Sequence, residues 1–116
     1  MLIDFKKLKS SFIFALSGIK IIAKEENTFR LELIIAIIVS LIAFYFPLSS
    51  IERAIIFMVI FSVLLAEITN TIVERIMNVY STDHNPKIKE IKDMCSGAVL
   101  LTCIMAGIIG IIIFFN

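Results

Sequence analysis

Charge is scarce in this chain. Asp, Glu, Lys and Arg make up 18% of its 116 residues, against roughly a quarter in a soluble domain. Two cysteines, four glycines and two prolines exclude a disulfide scaffold, a collagen and a low-complexity linker. The single histidine, His84, has no second histidine or nearby cysteine pair, so no zinc site is expected. There is no internal repeat, no Walker loop, no GxGxxG and no GxSxG. A net charge of +1 offers nucleic acid no electrostatic footprint. What is present is hydrocarbon: 59% of residues are hydrophobic and mean hydropathy is +1.02. In a chain of one-domain length that excess excludes disorder and makes lipid the expected solvent. The informative signal is where the few charges fall.

The pattern predicts an all-α membrane domain over 1–116, in four segments. Residues 4–25 carry apolar side chains at Phe5, Leu8, Phe12, Ala15, Ile19 and Ile22, one helical stripe. Lys6, Lys7, Lys9, Lys20 and Lys24 flank it, as expected of an amphipathic helix lying in the membrane interface with snorkelling lysines. A signal peptide needs an unbroken apolar core and a cleavage site; Ser17, Gly18 and Lys20 interrupt this one. A first span is expected over 28–47, stopped by Pro47. A second is expected over 50–78, opened by a capping box of Ser49 with Glu52. A third is expected over 86–115, capped by Asn85 with Pro86 at the first turn. Met94 to Phe115 then runs without a charge, long enough to cross a bilayer. Cys95 and Cys103 are eight residues apart on that helix, about 12 Å, too far for a disulfide. Ten of the eleven Lys and Arg residues lie in the N-terminal segment, in the first turn of the first span, or between Arg75 and Lys92. The positive-inside rule then puts the N-terminus and the 75–93 loop in the cytoplasm.

Intramembrane acids are costly and mark function. Glu67, Asn70 and Glu74 fall within about 60° of one another on a helix, so they form one polar stripe. Glu74 belongs near the cytoplasmic surface and Glu67 about 10 Å deeper. There a carboxylate loses hydration of its charged form, which suits it to take up a proton. The bland alternative is a polar helix–helix contact. Glu25, Glu26 and Glu32 form a second acidic group at the same surface. Carboxylates without histidines suit a hard ion, and magnesium is usual where phosphates complete the shell. Solvated acids balanced by Lys24 and Arg30 would look the same. Lys92-Asp93, at the start of the last span, could steady phosphate or simply cap a membrane helix. Three functional classes follow. One is an enzyme handling a phosphorylated, magnesium-bound substrate. Another is a proton-coupled transporter, disfavoured because the outer half of every span lacks ionisable groups. The third is a structural or pore-forming membrane protein.

Three motifs narrow these classes. Glu67-Ile68-Thr69-Asn70-Thr71-Ile72-Val73-Glu74 resembles the E-x-x-N-[ST]-x-x-E signature of the prokaryotic diacylglycerol kinase family. Glu26-Asn27-Thr28-Phe29-Arg30-Leu31-Glu32 resembles its E-x-x-F-R-x-E segment. Lys92-Asp93-Met94 with Ser96, Ala98 and Val99 resembles its K-D-M-x-S-x-A-V stretch. The resemblance covers essentially the whole chain, with order and spacing in register.

It implies a homotrimer in the bacterial inner membrane that transfers the γ-phosphate of MgATP to a lipid hydroxyl at sites shared between subunits. Diacylglycerol is the expected acceptor and undecaprenol the alternative. Glu67 would be the general base, assisted by Asn70, and Glu26 and Glu74 would bind the metal. The resemblance assigns Lys7, Phe14, Asp83, His84, Asn85, Lys92 and Asp93, with Glu26 and Glu74, to the nucleotide. It assigns Phe29, Arg30, Glu32, Arg53 and Ser96, with Glu67, to the lipid. The chain departs from the family in having Lys7 and Phe14 where Arg and Tyr are frequent, Asp83-His84-Asn85 in place of Glu-Tyr-His, and Asn78 in place of an acid. These departures touch the nucleotide periphery rather than the base or the metal acids.

Overall fold

A computed structural model describes residues 2–80 and 85–115. Four helices succeed one another: α1 (Phe5–Glu25), α2 (Asn27–Tyr45), α3 (Ser50–Tyr80) and α4 (Pro86–Phe114). The last three are long and apolar enough to cross a membrane. Each boundary has a local cause. Asp4 accepts a hydrogen bond from the Lys7 amide at 3.1 Å and caps α1. Glu26 alone separates α1 from α2, in extended conformation at φ −109°, ψ 111°. Its amide still donates to Ile22 while its carbonyl accepts from Arg30, so one residue closes one helix and opens the next. The Arg30 guanidinium folds back onto the carbonyls of Lys24 (2.6 Å) and Ala23 (3.2 Å), the orphan acceptors at the negative end of α1.

α2 stops at Tyr45, two residues before Pro47. Arg53 then ties the turn together, donating through Nε to the Ala43 carbonyl (2.9 Å) and through Nη2 to that of Phe46 (3.0 Å). The capping box forms in full: Glu52 Oε1 accepts from the Ser49 amide at 2.9 Å, and Ser49 Oγ from the Glu52 amide at 3.1 Å. Asn85 Oδ1 accepts from the Lys87 amide and caps α4.

α3 is the central element, with its longest contact along α4 and a shorter one along α2, while α1 contacts α2 least. Phe29, Ala36 and Ala43 are the buried residues of α2 and recur every seventh position, one seam in which two alanines let the helices approach closely. At the end away from Glu26, Ala43, Ile56 and Ile113 form the core, with Val39, Leu48, Ile60, Ile109 and Phe114 against it. Phe46 and Phe114 meet edge to face there, centroids 5.2 Å apart. Most other large apolar side chains are exposed, which suits contact with lipid or with further copies. Hydroxyls within the spans bond their own helices. Ser40, Ser62, Thr69 and Thr102 each donate to the carbonyl four residues back, at 2.7–2.9 Å. Among the described residues the buried polar ones are Glu67 and Thr71, on the same face of α3 as Ile56.

Candidate active site

The burial of Glu67 follows from helical geometry. Eleven residues separate it from Ile56, close to three whole turns, so the face that makes the apolar core at one end of α3 presents Glu67 to α2 at the other. Glu67 is 7% exposed. Its carboxyl comes within hydrogen-bonding reach of the Glu32 carboxyl on α2. Glu32 Oε2 is shielded from solvent and meets no donor. Two acids on facing helices are thus set side by side near the middle of the bundle. Asn70, half-buried, lies one turn along α3.

Glu26 and Glu74 approach closely enough for their charges to act on Glu67. Three acids named from sequence, separated by up to 48 positions, thus lie in the same region of one chain, the hinge bringing the start of α2 beside the last turns of α3. Arg75 joins them. Its Nη2 contacts Glu26 Oε1 at 2.7 Å and Glu25 Oε1 at 3.2 Å. Among the described residues no group of three or more His, Cys, Asp or Glu side chains is arranged to hold a metal ion.

Lys92 reaches α3, donating to Asn78 Oδ1 at 2.6 Å. Asp93 turns along its own helix to Lys89, also at 2.6 Å. Ser96 is exposed on α4, and Phe29 is buried in α2. Other positions are not brought to the acids within one chain. Arg53 lies fourteen residues of helix from Glu67, about 21 Å, bound into the α2–α3 turn. Lys7 and Phe14 are exposed on α1, respectively about 28 and 18 Å along that helix from the Glu26 hinge. Asn85 serves as the α4 cap. Asp83 and His84 lie outside the described residues.

Two neighbours of the site were not singled out for it from sequence: Arg75, and Cys103, which lines one groove with Glu32. Asn78, noted from sequence only as a departure from the family, is the partner of Lys92. For Arg75 a signal existed. It follows Glu74 directly and is the one cation in the second half of α3. Cys103 carries no such mark.

Glu32 also borders a groove of about 520 Å³ between α2, α3 and α4, walled by Ile35, Val39, Ile60, Cys103 and Gly107. Its walls are hydrocarbon and its carboxylate is near one end, the form of a site for a chain with a polar head.

The prokaryotic diacylglycerol kinase family matches residues 13–114. The chain belongs to that family. It is 32% identical over 111 residues to undecaprenol kinase of Bacillus subtilis (strain 168), covering 96% of this chain and 90% of that one. It is 28% identical over 97 residues to diacylglycerol kinase of Helicobacter pylori (strain J99), covering 84% and 76%. The protein of that name from strain 26695 gives the same figures. Family and fold together make the chain a multi-pass membrane lipid kinase, acting on a nucleotide and a lipid.

Proposed function

We propose that this kinase transfers the γ-phosphate of ATP to the hydroxyl of a membrane lipid alcohol, with undecaprenol as the acceptor. The carboxyl pair Glu32–Glu67, at the end of an apolar groove and beside Glu26 and Glu74, carries the reading. The Bacillus relative supports undecaprenol by its higher identity and fuller coverage. Diacylglycerol, the acceptor expected from the Lys92-Asp93-Met94 stretch, stands as the second reading, supported by the Helicobacter relatives.

Glu67 takes the hydroxyl proton as the acceptor oxygen bonds to the γ-phosphorus. The bond from that phosphorus to the β,γ-bridging oxygen breaks and ADP leaves. Asn70 orients Glu67, and Glu32 faces the lipid. Glu26 and Glu74 hold magnesium. Two carboxylates without a third protein ligand fit an ion that arrives with its phosphates. Magnesium, when bound, neutralises the triphosphate charge. Lys92 places an ammonium on the phosphates, and Asp93, Asn85, Asp83 and His84 border the nucleotide.

The separation of Lys7, Phe14 and Arg53 from the acids supports a homotrimer in which neighbouring subunits complete each site, Lys7 and Phe14 toward nucleotide and Phe29, Arg30, Arg53 and Ser96 toward lipid. The lysine and arginine distribution supports an inner-membrane protein with N-terminus and site in the cytoplasm. The deciding experiment offers undecaprenol and diacylglycerol side by side to the purified protein in lipid with γ-labelled ATP. Label is expected on undecaprenol. Label on diacylglycerol alone transfers the assignment to that lipid, and label on neither removes the lipid-kinase mechanism.

A further inference from the structure

The carboxylate assigned to the metal already has a cation. Arg75 reaches across from α3 and contacts Glu26 at 2.7 Å and Glu25 at 3.2 Å through the same nitrogen. The contact is solvent-accessible, the Arg75 side chain being 44% exposed. It is not the two-nitrogen fork that locks an arginine onto one carboxylate. An exposed pair of this type shifts an equilibrium about fivefold at most, so a divalent ion can displace it. Among the described residues the ion pairs of Glu25 and Glu26 are both with Arg75, while Arg30 binds the end of α1, Lys92 binds Asn78 and Lys89 binds Asp93. Arg75 is thus the cation in contact with the acidic hinge. It directly follows Glu74, the second metal carboxylate, so a released guanidinium stays beside any phosphate held there.

We propose that Arg75 is an exchangeable counter-ion of the nucleotide site: it occupies Glu26 in the nucleotide-free kinase and passes to the phosphates when the metal takes that carboxylate. The proposal rests on the function argued above, with Glu26 as a metal ligand. No covalent step is involved; one ion pair is exchanged for another. The always-charged guanidinium, with several donors in a plane, suits both partners. The exchange keeps the acids neutralised before the ion arrives and supplies a phosphate contact afterwards.

The test measures Mn²⁺ binding to the full chain in lipid bilayers by the spin signal of free Mn²⁺, without nucleotide, and separately the KM for MgATP. Arg75→Gln is expected to bind Mn²⁺ about fivefold more tightly and to raise the nucleotide KM severalfold. Arg75→Lys, which keeps the charge, is expected to fall between wild type and Arg75→Gln. It carries the test if the glutamine variant does not assemble. Mn²⁺ binding that is not tightened, including no binding by either chain, overturns the exchange and leaves Arg75 a brace for the hinge. A wild-type protein that phosphorylates neither lipid overturns the underlying function, and the exchange with it. Phosphorylation by wild type with untightened binding in both variants overturns the exchange alone.

Discussion

Glu32 on α2 and Glu67 on α3 meet carboxyl to carboxyl inside the helix bundle. Their proximity ties a packing feature, the face of α3 turned toward α2, to the acid proposed as the base. The same pair dictates how each variant should behave.

Glu67→Gln is expected to abolish phosphate transfer, by about 10²–10⁴-fold or more, while nucleotide binding and assembly persist. The amide keeps the size and can donate to Glu32, but cannot act as a base. Single-turnover transfer of labelled phosphate, beside nucleotide titration, checks this. Retained turnover would remove Glu67 as the base.

Glu32→Gln separates stability from activity. Its amide gives Glu67 a donor, so the thermal midpoint should stay level or rise, a gain of up to about 1 kcal/mol, while transfer falls. Thermal unfolding in detergent is the measurement. A midpoint several degrees lower would mean that the carboxyl pair is a structural bond.

Glu74→Gln should raise the magnesium concentration needed for half-maximal activity, with a smaller effect on the lipid KM. An unchanged magnesium titration would reduce Glu74 to a packing role.

Gly107 lines the groove, and a Cβ built there meets nothing within 4 Å. Gly107→Leu should therefore fold, fill hydrocarbon space and raise the lipid KM at least about tenfold, leaving the KM for MgATP unaltered. Equal effects on both constants would detach the groove from the lipid.

Shared sites make a specific prediction about mixtures. Glu26, Glu67 and Glu74 converge within one chain, so mixing Glu67→Gln with Glu74→Gln subunits should restore nothing. Mixing Glu67→Gln with a Lys7→Ala, Phe14→Ala subunit should restore part of the activity, because one intact α3 can then face one intact α1. Recovery in the first mixture and none in the second would reverse the arrangement.

Much of the molecule was legible in the residues alone. Helix starts and stops followed from Ser49 with Glu52, Pro47 and Asn85, because capping and proline effects act within a few positions. The spans followed from runs without charge, because a bilayer demands them. The stripe Glu67, Asn70, Glu74 followed from the 3.6-residue period. What no spacing could state was which neighbour each polar group meets. The pairing of Glu32 with Glu67, 35 positions away, was decided by how α2 lies on α3. The capture of Glu26 by Arg75 was decided by the single-residue hinge, and the binding of Lys92 to Asn78 by the line of contact between α3 and α4. Periodicity assigns a residue to a face of its own helix. Only the packing of one helix on another selects the partner, since that choice depends on close fit between side chains far apart in the chain.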